Sequence, residues 1–262
     1  MTPIVRTAVV ALALAAGNAG AKQRQGEWIR LFNGRDLSNW IPKVAKHDVG
    51  ENFANTFRVE NGILKVAYDG YTSLNSQFGH LFHRQSFSSY HLVVEYRFVG
   101  NWLPDTPDWA KRNSGVMLHA QDPNTMLRDQ DFPISIELQF LGGLGDGRPR
   151  PTANMCSPGT EVNIDGQQAR SHCINSRSAT FDGDGWVRVE AIVLRDSLIT
   201  HIVNGDTVMT YMATRIGGGN VNGHNPAVKV DGRPLSSGWI ALQSEGHPIE
   251  FRRVDLRILS PR

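Results

Sequence analysis

Residues 134–140, ISIELQF, place Ser135, Glu137 and Gln139 on one face of an extended chain and Ile134, Ile136, Leu138 and Phe140 on the other. A carboxyl and an amide two residues apart, both standing away from an apolar face, can bind hydroxyl groups or move a proton. Other alternating segments carry single polar groups in the same way: Glu95 in YHLVVEYRF (90–98), Asn113 and His119 in NSGVMLH (113–119), and Gln243 in GWIALQS (238–244). Taken singly, each is an ordinary solvent-facing residue of an antiparallel sheet, solvated or in a cross-strand ion pair. Gathered on one concave face, carboxylate, amide and imidazole suit a polyhydroxylated ligand.

The elements that must position these groups are strands. FRVENGILKVAY (57–68) is two alternating runs joined at Asn61-Gly62, a strong hairpin signal, and Asn204-Gly205 marks another within LITHIVNGDTVMTY (198–211). WVRVEAIVL (186–194) and IEFRRVDLRIL (249–259) add further strands. With 26 Gly and 13 Pro punctuating short runs and no long helical period, the class is an all-β sandwich or barrel. Long connections fall at 99–112, 141–180 and 213–237, and connections of that length in a compact domain are usually functional.

Charged residues make up 20% of the 262, and the formal net charge is only +2, which gives no strong field for holding nucleic acid. Residues 1–21 read as a cleavable export signal: Arg6 is the only charge, VVALALAAG (9–17) is apolar, and AGA (19–21) precedes Lys22. The apolar run is too short to span a membrane. A periplasmic or secreted location follows, with a linker over 22–27 and a single sandwich domain over 28–262. Cys156 and Cys173 are the only cysteines, and in an exported chain such a pair reads as a disulfide. Only His172 lies beside them, and their spacing matches no usual zinc pattern.

NWLPDTPDW (101–109) offers Trp102 and Trp109 for stacking on sugar faces, or for pinning the loop to the sandwich. IGGGNVNGHNP (216–226) is glycine-rich but does not join a strand to a helix as a phosphate loop does.

WIRLFNGRDLSNW (28–40), FRVENGIL (57–64), NSGVMLH (113–119), ISIELQF (134–140) and LQSEGHPIEFRRVDLRIL (242–259) resemble, in order, the blocks of the family once called domain of unknown function 1080. That family, now described as the 3-keto-disaccharide hydrolase domain, has a concanavalin-like jelly-roll β-sandwich of two antiparallel sheets. The resemblance puts Asn113, Ser114 and Gly115 at the family's NSG segment, Glu137 and Gln139 at its E-x-Q strand, and Gln243, Glu250, Phe251 and Arg252 at its C-terminal block. The chain departs from the pattern at His119, where the family commonly has Arg, at Ser244-Glu245, where it has Asp-His, and at Arg253, where it has Asn.

The implied substrate is a mono- or disaccharide glycoside already oxidised at C3, which an upstream sugar 3-dehydrogenase would supply. The ketone acidifies the C2 proton, so one base can remove it and the enolate expels the group on C1. His119 or Glu137 is then expected as base, with the other delivering a proton or binding metal, and Gln139 and Arg252 binding hydroxyls or the ketone. Arg252 equally suits a structural pairing with Glu95 or Glu250. A divalent ion on Glu137 and a neighbouring His or Asp would polarise the ketone, although no ligand spacing demands one. Two rival readings are a non-catalytic sugar-binding module, resting on exposed Trp102 and Trp109, and a conventional glycosidase, resting on a second carboxylate such as Glu95 or Glu245 across a cleft from Glu137.

Overall fold

The computed structural model describes residues 26–260, so the expected leader over 1–21 lies outside the described residues. Among them are seventeen strands and three single-turn 3-10 helices, and no helix is long and apolar enough to cross a membrane. The strands form two antiparallel sheets in a jelly-roll sandwich, one of ten strands and one of seven. The seven-stranded sheet carries the site. From one edge its strands are Cys173–Ile174, Asn154–Cys156, Ile136–Leu141, Asn113–Ala120, Gly238–Ser244, Gly79–Phe87 and Trp40–Val44. The other sheet is centred on Val187–Leu194, Ser89–Phe98 and Ile249–Ile258.

Both predicted hairpins form. Asn61 (φ 52°) with Gly62 (φ 77°), and Asn204 (φ 49°) with Gly205 (φ 98°), supply the paired positive φ values that a tight two-residue turn between twisted strands requires. Alternation then puts Ile136, Leu138 and Phe140 into the core with Val116, Leu118, Leu242 and, from the opposing sheet, Leu92, Val94 and Val254. Phe140 stacks on Tyr96 of the other sheet with ring centroids 4.2 Å apart, and the buried Tyr96 hydroxyl lies 2.7 Å from Thr152 Oγ1. Each such large side chain contributes about 1.5–3 kcal/mol by leaving water, so this face fixes the strand and thereby the direction in which Glu137 points.

Two expectations need correction. The stretch 141–180 is not an open connection: it contributes Asn154–Cys156, Thr160–Ile164, Gln167–Gln168 and Cys173–Ile174, short strands that extend both sheets. His119 also does not share the open face with Glu137. Between the pairs Met117↔Ala241 and Ala120↔Trp239, the Asn113–Ala120 strand has one more residue than its partner, and His119 takes up the excess at φ 49°. This bulge reverses the alternation and turns the ring inward against Tyr90, with centroids 5.7 Å apart.

Candidate active site

The outward face of the seven-stranded sheet is built in rows by strand register. Cys156 lies opposite Glu137, Glu137 opposite Met117, Met117 opposite Ala241, and Ala241 opposite Phe82. In the adjacent row Asn154 pairs with Gln139, Gln139 with Gly115, and, past the Val116↔Leu242 pair that brings Gln243 beside Gly115, Gln243 pairs with His80 and His80 with Lys43. Side chains in such rows are neighbours because opposed Cβ atoms lie about 5 Å apart.

A cavity of about 420 Å³ opens above the Glu137 end of these rows. Asn113, Glu137 and Gln139 form part of its lining, and Glu245 enters from just beyond the Gly238–Ser244 strand. Its walls come from Trp109, from Asp131 and Phe132, from Asn220 and Asn222, and from His172 and Cys173. Asp131 ties two walls together: its carboxylate accepts from the Asn222 backbone N–H (2.8 Å) and from Asn222 Nδ2 (2.7 Å). The Cys156–Cys173 disulfide clamps a third wall, joining directly opposed residues of adjacent strands.

Glu137 is buried, and its carboxyl occupies the space left by Gly115. A Cβ at that glycine would lie 3.0 Å from both Cγ and Oε1 of Glu137. Oε1 has no hydrogen-bond partner, and burial pushes the group up to about 8. Glu245 is likewise buried, with Oε2 unpartnered; it is driven well above the ordinary carboxylate range by burial and then by the charge of Glu137, against the pull of Arg150. The Arg150 guanidinium is committed to the carbonyls of Arg112 (2.9 Å), Gly142 (2.5 Å) and Lys111 (2.6 Å). Burial raises Glu137, whose charge in turn helps to raise Glu245, so the two titrate as a pair.

More polar capacity on this side of the sheet is unused. Asn113 Oδ1, both amide atoms of Gln243 and His247 Nε2 are buried without partners. Asn113 Nδ2 donates to the Trp109 carbonyl (3.1 Å), and Gln139 Oε1 accepts from Asn154 Nδ2 (3.0 Å). Such orphaned groups are rare in folded interiors and mark a place where water or ligand completes the bonding. Trp109 stands on the rim, 52% exposed, its ring 5.5 Å from Phe78.

The remaining expected residues lie elsewhere. His119 has Nδ1 2.7 Å from the Leu235 carbonyl and Nε2 3.1 Å from that of Ser88, which leaves neither nitrogen for substrate. Glu95 and Arg252 belong to the ten-stranded sheet, where Arg252 Nε donates to Glu95 Oε2 at 2.6 Å and Arg252 also caps Trp186; the structural pairing is the one that forms. Trp102 does not line the cavity and packs against His247 under Lys111. Glu245, raised from the sequence only as the second carboxylate of a conventional glycosidase, is in the lining, whereas Asp131 and Phe132 were lining residues that motif reading passed over. Continuing the Ala241, Gln243 alternation by one step would have reached Glu245.

Among the described residues the one cluster of His, Cys, Asp and Glu ligand atoms close enough to share an ion is Cys156, His172 and Cys173, within 4.8 Å. The disulfide denies both sulfurs their thiolate form, so this cluster does not fit a metal as it stands. The donors around Glu137 form no such set, and the chemistry below is derived from protein groups alone.

The two antiparallel sheets and the cavity over the open one place the chain among the jelly-roll β-sandwiches. The chain belongs to the family of 3-keto-alpha-glucoside-1,2-lyase-like domains, whose sequence profile matches residues 27–257. Two crystal structures from Parabacteroides distasonis, each described as a candidate glycosyl hydrolase, share the fold. One, at 2.00 Å resolution, has 16% identity and a TM-score of 0.54 over 89% of this chain and 100% of its own. The other, at 1.70 Å, has 16% identity and a TM-score of 0.52 over 90% and 94%. No curated protein matches the chain.

Proposed function

We propose that the protein cleaves 3-keto-glycosides by removing the C2 proton and expelling the C1 substituent, with Glu137 and Glu245 as the proton-transfer pair. The observation that carries this reading is the pair itself: two buried carboxyls, both raised, lining one cavity and each with an unpartnered oxygen. The ionised member takes the proton from C2, and the C2 electron pair forms the C1=C2 bond, conjugated with the C3 ketone. As the C1–O bond breaks, the protonated member delivers its proton to the departing oxygen. One proton is taken and one is given, so the pair begins and ends singly protonated. Addition of water to the enone in a later step turns the elimination into a net hydrolysis.

A base poised near neutral pH suits this step, because a stronger base would be protonated and a weaker one would lack driving force. Asn113 and Gln139, which line the cavity, would bind hydroxyls, and Trp109 would stack on a sugar face or on the leaving group. The chemistry requires a prior oxidation of the sugar at C3 by a dehydrogenase. Conventional glycoside hydrolysis is the second reading, favoured by the presence of two carboxyls in one cavity.

The test is product release from a 3-keto-glucoside and from its unoxidised parent, by wild type and by Glu137→Gln. Turnover of the ketosugar alone, lost in the variant, is the expected result. Cleavage of the parent at a comparable rate would transfer the assignment to conventional hydrolysis, and binding of both sugars without cleavage would leave a lectin-like module.

A further inference from the structure

His80 is buried on the open-face side of the seven-stranded sheet, and neither of its ring nitrogens has a hydrogen-bond partner. It sits directly opposite Gln243, whose amide oxygen and nitrogen are also buried and unpartnered. These two side chains are cross-strand neighbours with complementary donors and acceptors, yet they do not bond to each other. Four polar atoms are thus held open at one place, at a cost that a folded protein ordinarily avoids.

One wall residue of the Glu137 cavity packs against His80. Phe132, a wall of the Glu137 cavity, lies edge-on to the His80 ring with centroids 5.7 Å apart and stacks on Phe78 at 5.3 Å. Its backbone N–H donates to the Asp131 carboxylate (2.7 Å) and its carbonyl accepts from Gln130 Nε2 (2.8 Å), which fixes the main chain and leaves the phenyl ring its side-chain torsions. Beyond His80, Lys43 spends its ammonium on the carbonyls of Val44 and Arg128, both at 2.9 Å, and closes the far end of the row.

The geometry points to a second subsite of the cavity, in which His80 and Gln243 bind two hydroxyls of the sugar after the Phe132 ring swings aside. Burial and the adjacent Lys43 keep the imidazole neutral, pushing it down to about 3. A neutral imidazole offers one N–H donor and one bare nitrogen acceptor, and a primary amide offers the same pair of functions. Each therefore matches a hydroxyl, which both gives and receives, and two hydroxyls of one sugar match the two together. A carboxylate or phosphate would leave the acceptor atoms unmatched. His80 is thus a specificity residue, and Phe132 its gate.

This subsite extends the proposed carbohydrate site, and its test reads binding rather than turnover, so failure to cleave a ketosugar does not bear on it. Methyl α-glucoside and its 2-, 4- and 6-deoxy derivatives are titrated into the wild-type protein while the His80 ring resonances, assigned with His80→Gln, are followed by NMR. The parent sugar is expected to shift the His80 signals, and at least one deoxy derivative to leave them in place. His80→Gln is expected to weaken parent binding by about tenfold, the size of one lost hydrogen bond, with no further loss for that same deoxy derivative. Phe132→Ala, which removes the gate and keeps His80, is expected to speed association. His80 signals that stay fixed at every sugar concentration, or deoxy penalties that are identical in wild type and His80→Gln, would overturn the assignment.

Discussion

Replacing Glu137 by Gln is expected to stabilise the protein while abolishing turnover, and the gain should grow with pH. The carboxyl is raised from an ordinary value of 4.5 to about 8 by burial. Between those two values the unfolded chain has released the proton that the native carboxyl retains, so stability falls as pH rises. At roughly 1.4 kcal/mol per tenfold, the full interval corresponds to a ceiling on the order of 5 kcal/mol at pH 8. Coupling to Glu245 and local relaxation reduce this, and about 2 kcal/mol is a conservative expectation. The amide is isosteric and carries no ionisable proton, so it removes this contribution without leaving a cavity. For a chain of this size about 2 kcal/mol moves the melting temperature by roughly 4–8 °C. The assay is thermal unfolding of both proteins from pH 4 to pH 8.5, read as the difference between them. Near pH 4 the two curves should coincide, and above pH 7 the variant should melt clearly higher. A difference that does not change with pH would refute the claim that Glu137 is held protonated by its burial.

Gly115→Ala would put a methyl group 3.0 Å from the Glu137 carboxyl and 3.1 Å from the Leu138 carbonyl; kcat should fall at least tenfold with a stability loss of about 1–3 kcal/mol, measured by steady-state kinetics beside denaturant unfolding. Removing the disulfide by Cys156→Ala with Cys173→Ala should cost about 3 kcal/mol in the chain-entropy account and should raise KM, because Cys173 is a wall of the cavity. Trp109→Ala on the exposed rim should raise KM up to about tenfold while leaving the melting temperature within a few degrees, as expected if its ring stacks on the ligand rather than on the core.

The parts of this arrangement that were legible in the sequence are those that local chemistry decides. Paired positive φ values at Asn61-Gly62 and Asn204-Gly205 follow from the residue types, and the face that Glu137 and Gln139 share follows from the apolar face they oppose. His119 was not legible, because a bulge depends on how many residues the partner strand offers, here Ala241 to Trp239 against Met117 to Ala120. Glu95 alternates as cleanly as Glu137 does, but periodicity within one strand does not say to which sheet it belongs, and Glu95 and Arg252 lie on the ten-stranded sheet, away from the Glu137 cavity. The strand Gly79–Phe87 escaped notice altogether. GHLFHRQSF lacks the alternation of a half-buried strand because its first five residues are buried on both faces while Arg84, Gln85 and Ser86 are exposed. His80 was lost with it.

The departure at Ser244-Glu245 has a physical meaning that the arrangement of the site supplies. Ser244 turns inward, where its Oγ accepts a hydrogen bond from the buried Tyr68 hydroxyl at 3.1 Å, and Glu245 alone of the two residues lines the cavity. The related pattern has an imidazole at that position, which beside a carboxyl forms an ion pair: the imidazole takes the proton and the carboxylate stays charged. Two carboxyls cannot both ionise cheaply in the same buried space, so the pair in this chain keeps a proton up to a higher pH than a lone exposed carboxyl would. The nearest cation that offsets it, Arg150, is tied to three backbone carbonyls and lowers Glu245 without cancelling the effects that raise it. A site that holds one proton between two oxygen bases contains an acid and a base of similar strength at once. An elimination needs that combination, because it takes a proton from one carbon and returns one to the group leaving the next.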